Sequence, residues 1–179
     1  AQKETLVIKR DLSDYPVHAE FVAEMARHIT AERFPDEVYS RGLRVYTTIT
    51  KDEQEAAYLS LRKGVMDYDR RHGYRGAEAF VDMAQITSDQ DEDIDEALQD
   101  IPDAGDLVPA LVLAASPTQV KVYRRGGEIL TLTGDAIKFA SKMLDANAPP
   151  IKRLRRGAVI RLLKGDKNAW QIAQLPEVE

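Results

Sequence analysis

The densest apolar patterning lies in the second half of the chain. Leu107 to Ala115 is a nearly continuous apolar run, broken by Pro109 and too short for a membrane span, which predicts a strand buried on both faces. Thr118 to Arg125 then alternates, with Val120 and Val122 on one side and Gln119, Lys121 and Tyr123 on the other. Gly126-Gly127 follows and Ile129 to Thr133 resumes, so the two runs predict a hairpin. Asp135 to Leu144 places Ile137, Phe139, Ala140, Met143 and Leu144 at helical spacing and is closed off by Pro149-Pro150. Two more strands are predicted at Ala158 to Leu163 and Ala169 to Leu175, around the polar turn Lys164 to Asn168. Three strands, a helix and two strands predict an α+β chain centred on a five-stranded OB-like β-barrel, with the helix between its third and fourth strands.

The first half is patterned differently. From Pro16, a residue suited to a first helical turn, Val17, Phe21, Val22, Met25, Ala26 and Ile29 fall on one face of an amphipathic helix that ends near Phe34-Pro35. Leu43 to Ile49 is β-branched and aromatic and predicts a strand. Thr50-Lys51-Asp52-Glu53 is a capping box opening a helix to about Arg71, with Ala57, Leu61, Val65 and Tyr68 on its buried stripe and Gly73 as terminator. A lone strand with a helix cannot satisfy its backbone groups, so Leu43 to Ile49 is expected to be an edge whose sheet neighbours lie in another domain. Ala79 to Met83 holds a short strand in a connector. The organisation predicted is a linker with a helix at 1–41, a strand and helix at 42–73, and the OB-like domain at 74–179 with an acidic segment at 87–106. Ala1 and the end just after a strand suggest a segment of a longer protein.

Charge sharpens this division. The net charge of −5 conceals eleven acidic residues and no Lys or Arg from Gly76 to Val120, then twelve basic residues against four acidic from Lys121 to Trp170. Thr87 to Asp106 holds nine carboxylates and reads as a solvated loop or a short acidic helix around Asp91 to Ile101. The basic cluster Lys152, Arg153, Arg155, Arg156, with Arg161, Lys164, Arg124 and Arg125, is the candidate partner-binding surface. With Tyr123, Phe139 and Trp170 it would make a groove for single-stranded nucleic acid on an OB barrel, but these aromatics alternate in phase with apolar neighbours and read as core. The alternative is that the basic cluster answers the acidic segment, within the chain or in a partner.

Catalytic and metal chemistry find little support. Without cysteine the chain has no disulfide, thiolate ligand or thiol nucleophile. Ser60-Leu61-Arg62-Lys63 matches S-x-x-K, in which a helix-borne Ser sits one turn from a Lys that takes its proton. That chemistry also needs S-x-N and K-[ST]-G, and the chain contains neither. His18, His28 and His72 are too scattered for a metal site. Asp89, Asp91, Asp93 and Asp95 open like a calcium loop but lack its central Gly and its twelfth-position Glu. No catalytic residue, metal or cofactor is assigned.

The order of motifs resembles that of bifunctional class A penicillin-binding proteins of the 1A subgroup. Gly42-Leu43-Arg44-Val45-Tyr46-Thr47-Thr48-Ile49, followed by Gln54-Glu55-Ala56-Ala57, is similar to the passage that opens their transpeptidase domain. Tyr68-Asp69-Arg70-Arg71-His72-Gly73-Tyr74-Arg75-Gly76 resembles the junction into their OB-like insert. Gly157-Ala158-Val159-Ile160-Arg161, and Trp170-Gln171-Ile172-Ala173-Gln174-Leu175-Pro176, resemble its end. The resemblance implies a non-catalytic docking and spacing module of a peptidoglycan glycosyltransferase and D-Ala-D-Ala transpeptidase. The parent would be anchored in the inner membrane with this segment in the periplasm. The implied partners are the rest of that enzyme and, in some members, an outer-membrane lipoprotein activator. No membrane contact by this segment is implied. From the residues alone, a free-standing OB module for single-stranded nucleic acid or oligosaccharide is the alternative.

Overall fold

The computed structural model of the chain describes residues 17–83, 86, 91–165 and 168–177. These fall into two compact units that divide between Gly64 and Val65.

In the first unit α1 (Glu20–Arg33) and the beginning of α2 (Lys51–His72) bracket residues 34–50. The apolar stripe of α1 is where the periodicity put it, but Phe21, Met25 and Ile29 are 88%, 64% and 50% exposed. Ala57 and Leu61 of α2 are exposed as well, correcting the expected buried stripe. The capping box closes side chain to side chain, since the Thr50 hydroxyl donates to the Glu53 carboxylate at 2.8 Å. The expected strand at Leu43 to Ile49 does not form among the described residues. Its β propensity has no neighbouring strand to pair with. Leu43, Val45 and Ile49 instead line an open groove of about 420 Å³ with Val22, Ala26 and Val38.

The second unit is built on an antiparallel sheet of β1 (Ala79–Phe80), β2 (Val108–Ser116), β3 (Gln119–Arg124), β4 (Glu128–Thr133), β5 (Ala158–Lys164) and β6 (Trp170–Ala173). Its order is β1-β5-β2-β3-β4, with β6 also on β5. The five strands expected of the barrel are therefore present, and β1, inside the short strand expected at Ala79 to Met83, joins them as a sixth. Among the described residues no pairing joins β4 to β6, so hydrogen bonding does not close the sheet into the expected barrel. Between Val112 and Ala114 the register of β2 shifts, a bulge that bends the strand. Arg124 lies opposite Glu128, leaving Arg125, Gly126 and Gly127 as the hairpin loop. Both glycines have φ near +86° (+87° and +85°), which an L side chain rarely adopts.

The helix predicted from Asp135 to Leu144 is two short turns, α4 (Asp135–Lys138) and α5 (Ser141–Leu144). Ile137, Ala140 and Met143 each donate their amide to a carbonyl three residues back, so the segment winds in tight turns that bury Ile137, Ala140 and Leu144. The sheet carries apolar residues on both faces. One face buries Ala110, Val112, Val120, Val122, Ile160, Leu162 and Ile172 with Tyr74 and Leu154. On the other, Leu111, Tyr123 and Val159 are covered by Ile94 and Leu98 of the acidic helix α3 (Asp91–Leu98).

Candidate functional site

The second unit begins and ends at one place. Gly73, at φ +88°, stops α2, whose last turn carries Arg70, Arg71 and His72 where the helix dipole favours positive charge. One turn earlier Asp69 is 3% exposed, the single buried residue of the helix. Its carboxylate accepts from Arg75 Nη1, from Gln174 Nε2 at 2.7 Å and from the Glu177 amide at 3.3 Å. Gln174, just past β6, accepts the Arg75 amide at 2.8 Å through Oε1 and donates to the Gly73 carbonyl at 3.1 Å through Nε2. Arg75 also donates to the Leu175 carbonyl and faces Glu177 at 3.4 Å. A buried carboxylate is tolerable only when its lone pairs are met by donors, and here donors from both ends of the domain meet them. Tyr74 carries this junction into the core, edge-on to Phe139 at 5.4 Å, and burial pushes its phenol well above the usual range, with the Glu78 charge adding to the effect.

Two further polar anchors tie loops to the sheet. Arg161, 3% exposed on β5, makes a fork with Glu78 at 2.6 and 2.7 Å and donates to the Pro102 carbonyl at 2.6 Å. Tyr123 donates to Asp95 of α3 at 2.9 Å, and the amides of Gly126 and Gly127 bond Asp95 and the Tyr123 hydroxyl at 3.1 Å. The acidic helix is thus pinned to the β3–β4 turn, and Arg125 adds an ion pair to Asp103 at 2.9 Å.

The predicted partner surface is dispersed accordingly. Arg161 lies inside the fold and leaves that surface, because a guanidinium flanked by Ile160 and Leu162 is held by Glu78 and carbonyls instead of water. Arg124 pairs with Glu128 at 3.0 Å and lies 4.9 Å from the centre of the Trp170 ring, with Lys164 at 5.1 Å. Arg153 is half-buried and donates to the Ala146 carbonyl at 3.2 Å; Arg155 stacks over Phe80 at 4.7 Å. Lys152, Arg155 and Arg156 remain exposed. Ser60 and Lys63 are exposed on α2. Among the described residues no group of three His, Asp or Glu side chains is placed to hold a metal ion, and no helix is long and apolar enough to cross a membrane. Sequence reasoning missed Asp69, though a signal was there: it continues the Leu61, Val65 stripe by four residues, a carboxylate where the periodicity calls for burial.

Comparison with known proteins accords with this geometry. The penicillin-binding protein OB-like domain family matches residues 74–178, the span between the two sides of the Asp69 junction. Penicillin-binding protein 1A of Neisseria lactamica is 34% identical over 177 residues, 98% of this chain and 22% of that protein. Penicillin-binding protein 1A of Escherichia coli (strain K12) is 34% identical over 167 residues, 89% of this chain and 19% of that protein. The crystal structure of penicillin-binding protein 1A from Haemophilus influenzae aligns with a TM-score of 0.72 at 27% identity, over 97% of this chain and 24% of that one. The chain thus spans 22% of the length of the first of these relatives. The chain belongs to the class A penicillin-binding protein family, and residues 74–178 match its OB-like domain.

Proposed function

We propose that this chain is a non-catalytic docking and spacing module of a bifunctional peptidoglycan glycosyltransferase and D-Ala-D-Ala transpeptidase. The observation that carries the reading is the Asp69 junction. A domain whose first and last residues are joined through one buried carboxylate can be set into a host chain without parting the host segments on either side. The catalytic serine and the glycosyltransferase acids then belong to the remainder of the parent enzyme. On this reading the parent is held at the inner membrane, the module works in the periplasm, and its exposed basic residues Lys152, Arg155 and Arg156 face a partner such as an envelope lipoprotein activator.

The test is capture. The chain, immobilised and exposed to detergent-solubilised cell envelope, retains a discrete envelope protein that salt releases, while mass spectrometry after incubation with a β-lactam finds no covalent adduct. An adduct on Ser60 overturns the non-catalytic reading. Tight binding of a single-stranded oligonucleotide, falling steeply with salt, overturns docking in favour of nucleic-acid binding.

A further inference from the structure

The order β1-β5-β2-β3-β4 leaves the sheet with unequal edges. β1 is two residues long, and the Arg155 guanidinium lies over its Phe80. A short strand with a charged side chain across it is a protected edge. β4 is six residues long, Glu128-Ile129-Leu130-Thr131-Leu132-Thr133, without Pro, Gly, Lys or bulge along it. Its backbone pairs with β3 on one side. On the other, alternate amides and carbonyls point outward, and none bonds another described residue. Glu128, Ile129, Thr131 and Thr133 are exposed, Ile129 by 51%. β6, four residues long and paired only to β5, is a third outer strand, so among the described residues β4 is the longest edge, and apart from Glu128 at its start it carries none of the devices that natural sheets use to prevent strand addition.

The surroundings select the charge of what would add there. Lys121 is exposed directly across from Thr131 and shares its face. Lys138 and Lys142 are exposed on the two helices that follow β4, against one exposed carboxylate there, Asp135, so lysine prevails beyond the strand. Glu128 is already paired with Arg124. We propose that β4 is a docking strand that receives an extended segment of a partner protein as the next antiparallel or parallel strand, one in which acidic side chains alternate with apolar ones. Main-chain bonds to the outward groups of β4 hold the segment, its apolar side chains meet Ile129 or Leu130, and its carboxylates meet Lys121 and the lysines beyond the strand. The proposal rests on the docking reading for the existence of a partner, and adds the face and the mode.

The isotopically labelled chain, titrated with a synthetic peptide alternating glutamate and valine and separately with its lysine–valine counterpart, tests this by amide hydrogen exchange. The expected result is protection gained at alternate amides of β4 with the acidic peptide, at least about tenfold weaker binding of the basic one at low salt, and a loss of about tenfold for Thr131→Glu, an exposed position where the added charge repels the peptide without touching the core. Absence of protection in β4 overturns the proposal, as does equal binding of the two peptides. Protection that appears in β4 on concentrating the chain without peptide overturns the stated occupant and makes it a second copy. Envelope capture separates the two readings: a Thr131→Glu chain that retains the same protein as the unaltered chain refutes the docking edge and leaves docking standing, whereas failure of both chains to retain anything counts against docking while the titration still judges the edge.

Discussion

Replacing Asp69 with Asn keeps the side-chain volume and removes the charge at the junction. Asn presents an amide nitrogen where Arg75 and Gln174 already donate, so at least one pair of donors would face each other. Gln174 cannot turn to compensate, because its Oε1 holds the Arg75 amide and its Nε2 the Gly73 carbonyl. Hydrogen bonds to a charged group contribute roughly 1.5–3 kcal/mol each, and breaking a fully buried ion pair costs about 3–5 kcal/mol. Arg75 is 34% exposed and regains water when its partner is lost, which places the net cost lower, at about 2–3 kcal/mol. At roughly 4 °C per kcal/mol for a unit of this size, the melting temperature of the second unit falls by about 10 °C. Urea unfolding supplies the free energy, with an unchanged slope. Hydrogen exchange supplies the location: residues 65–72 and 174–177 open together and lose more protection than the uniform loss that the lower global stability gives β2, β3 and β5. A cost under about 0.5 kcal/mol, or fraying at one end only, would refute the claim that this carboxylate ties the two ends of the domain.

Three other perturbations test separate parts of the second unit. Gly157 has φ +87°, and a Cβ there would lie 2.6 Å from the Val81 carbonyl, so Gly157→Ala is expected to cost about 2–4 kcal/mol in chemical unfolding through left-handed strain and a backbone clash. Tyr123→Phe removes the hydroxyl shared by Asp95 and the Gly127 amide and is expected to cost about 1–2 kcal/mol, with exchange accelerating in α3 and at the β3–β4 turn before the sheet. The raised phenol of Tyr74 makes stability fully present below the unfolded tyrosine pKa of about 10 and lost as pH rises beyond it toward the higher folded value. Unfolding measured between roughly pH 9 and 11 should therefore show a falling stability that is shallower in Tyr74→Phe, and equal slopes would show that Tyr74 is not the group responsible.

The sheet was legible because both of its faces are apolar, so strands announce themselves as alternating or continuous hydrophobic runs. β2, β3, β4 and β5 lie within a residue or so of their predicted bounds. Helices α1 and α2 were legible for the same reason, but periodicity reports which residues share a face and says nothing about what covers it. Hence Phe21 and Leu61 sit where expected and are bare. Leu43 to Ile49 failed for a related cause: strand propensity is realised only through neighbours, and the described residues of this chain supply none. The candidate surface was misread where charge was counted without position. In Ala158-Val159-Ile160-Arg161-Leu162-Leu163, a single arginine inside an apolar strand is a sign of an internal partner, and Glu78 is that partner.

The division of labour between apolar and polar contacts bears on what the module is built for. The two apolar clusters bury side chains on both faces of the sheet, and buried charges are a poor source of net stability beside hydrophobic packing. What the polar groups add is direction. Among the described residues Asp69 accepts from Arg75, Gln174 and Glu177, which begin and end the domain, Arg161 fixes the loop at Pro102 against Glu78, and Asp95 sets α3 on the β3–β4 turn. Each holds a segment that hydrophobic contact alone would let slide. A sheet stabilised by its own core, with a carboxylate at its root that takes donors from both ends, keeps the beginning and the end of the domain together. The distinction is measurable: on the docking reading proposed above, Asp69→Asn should leave envelope capture intact while loosening the root.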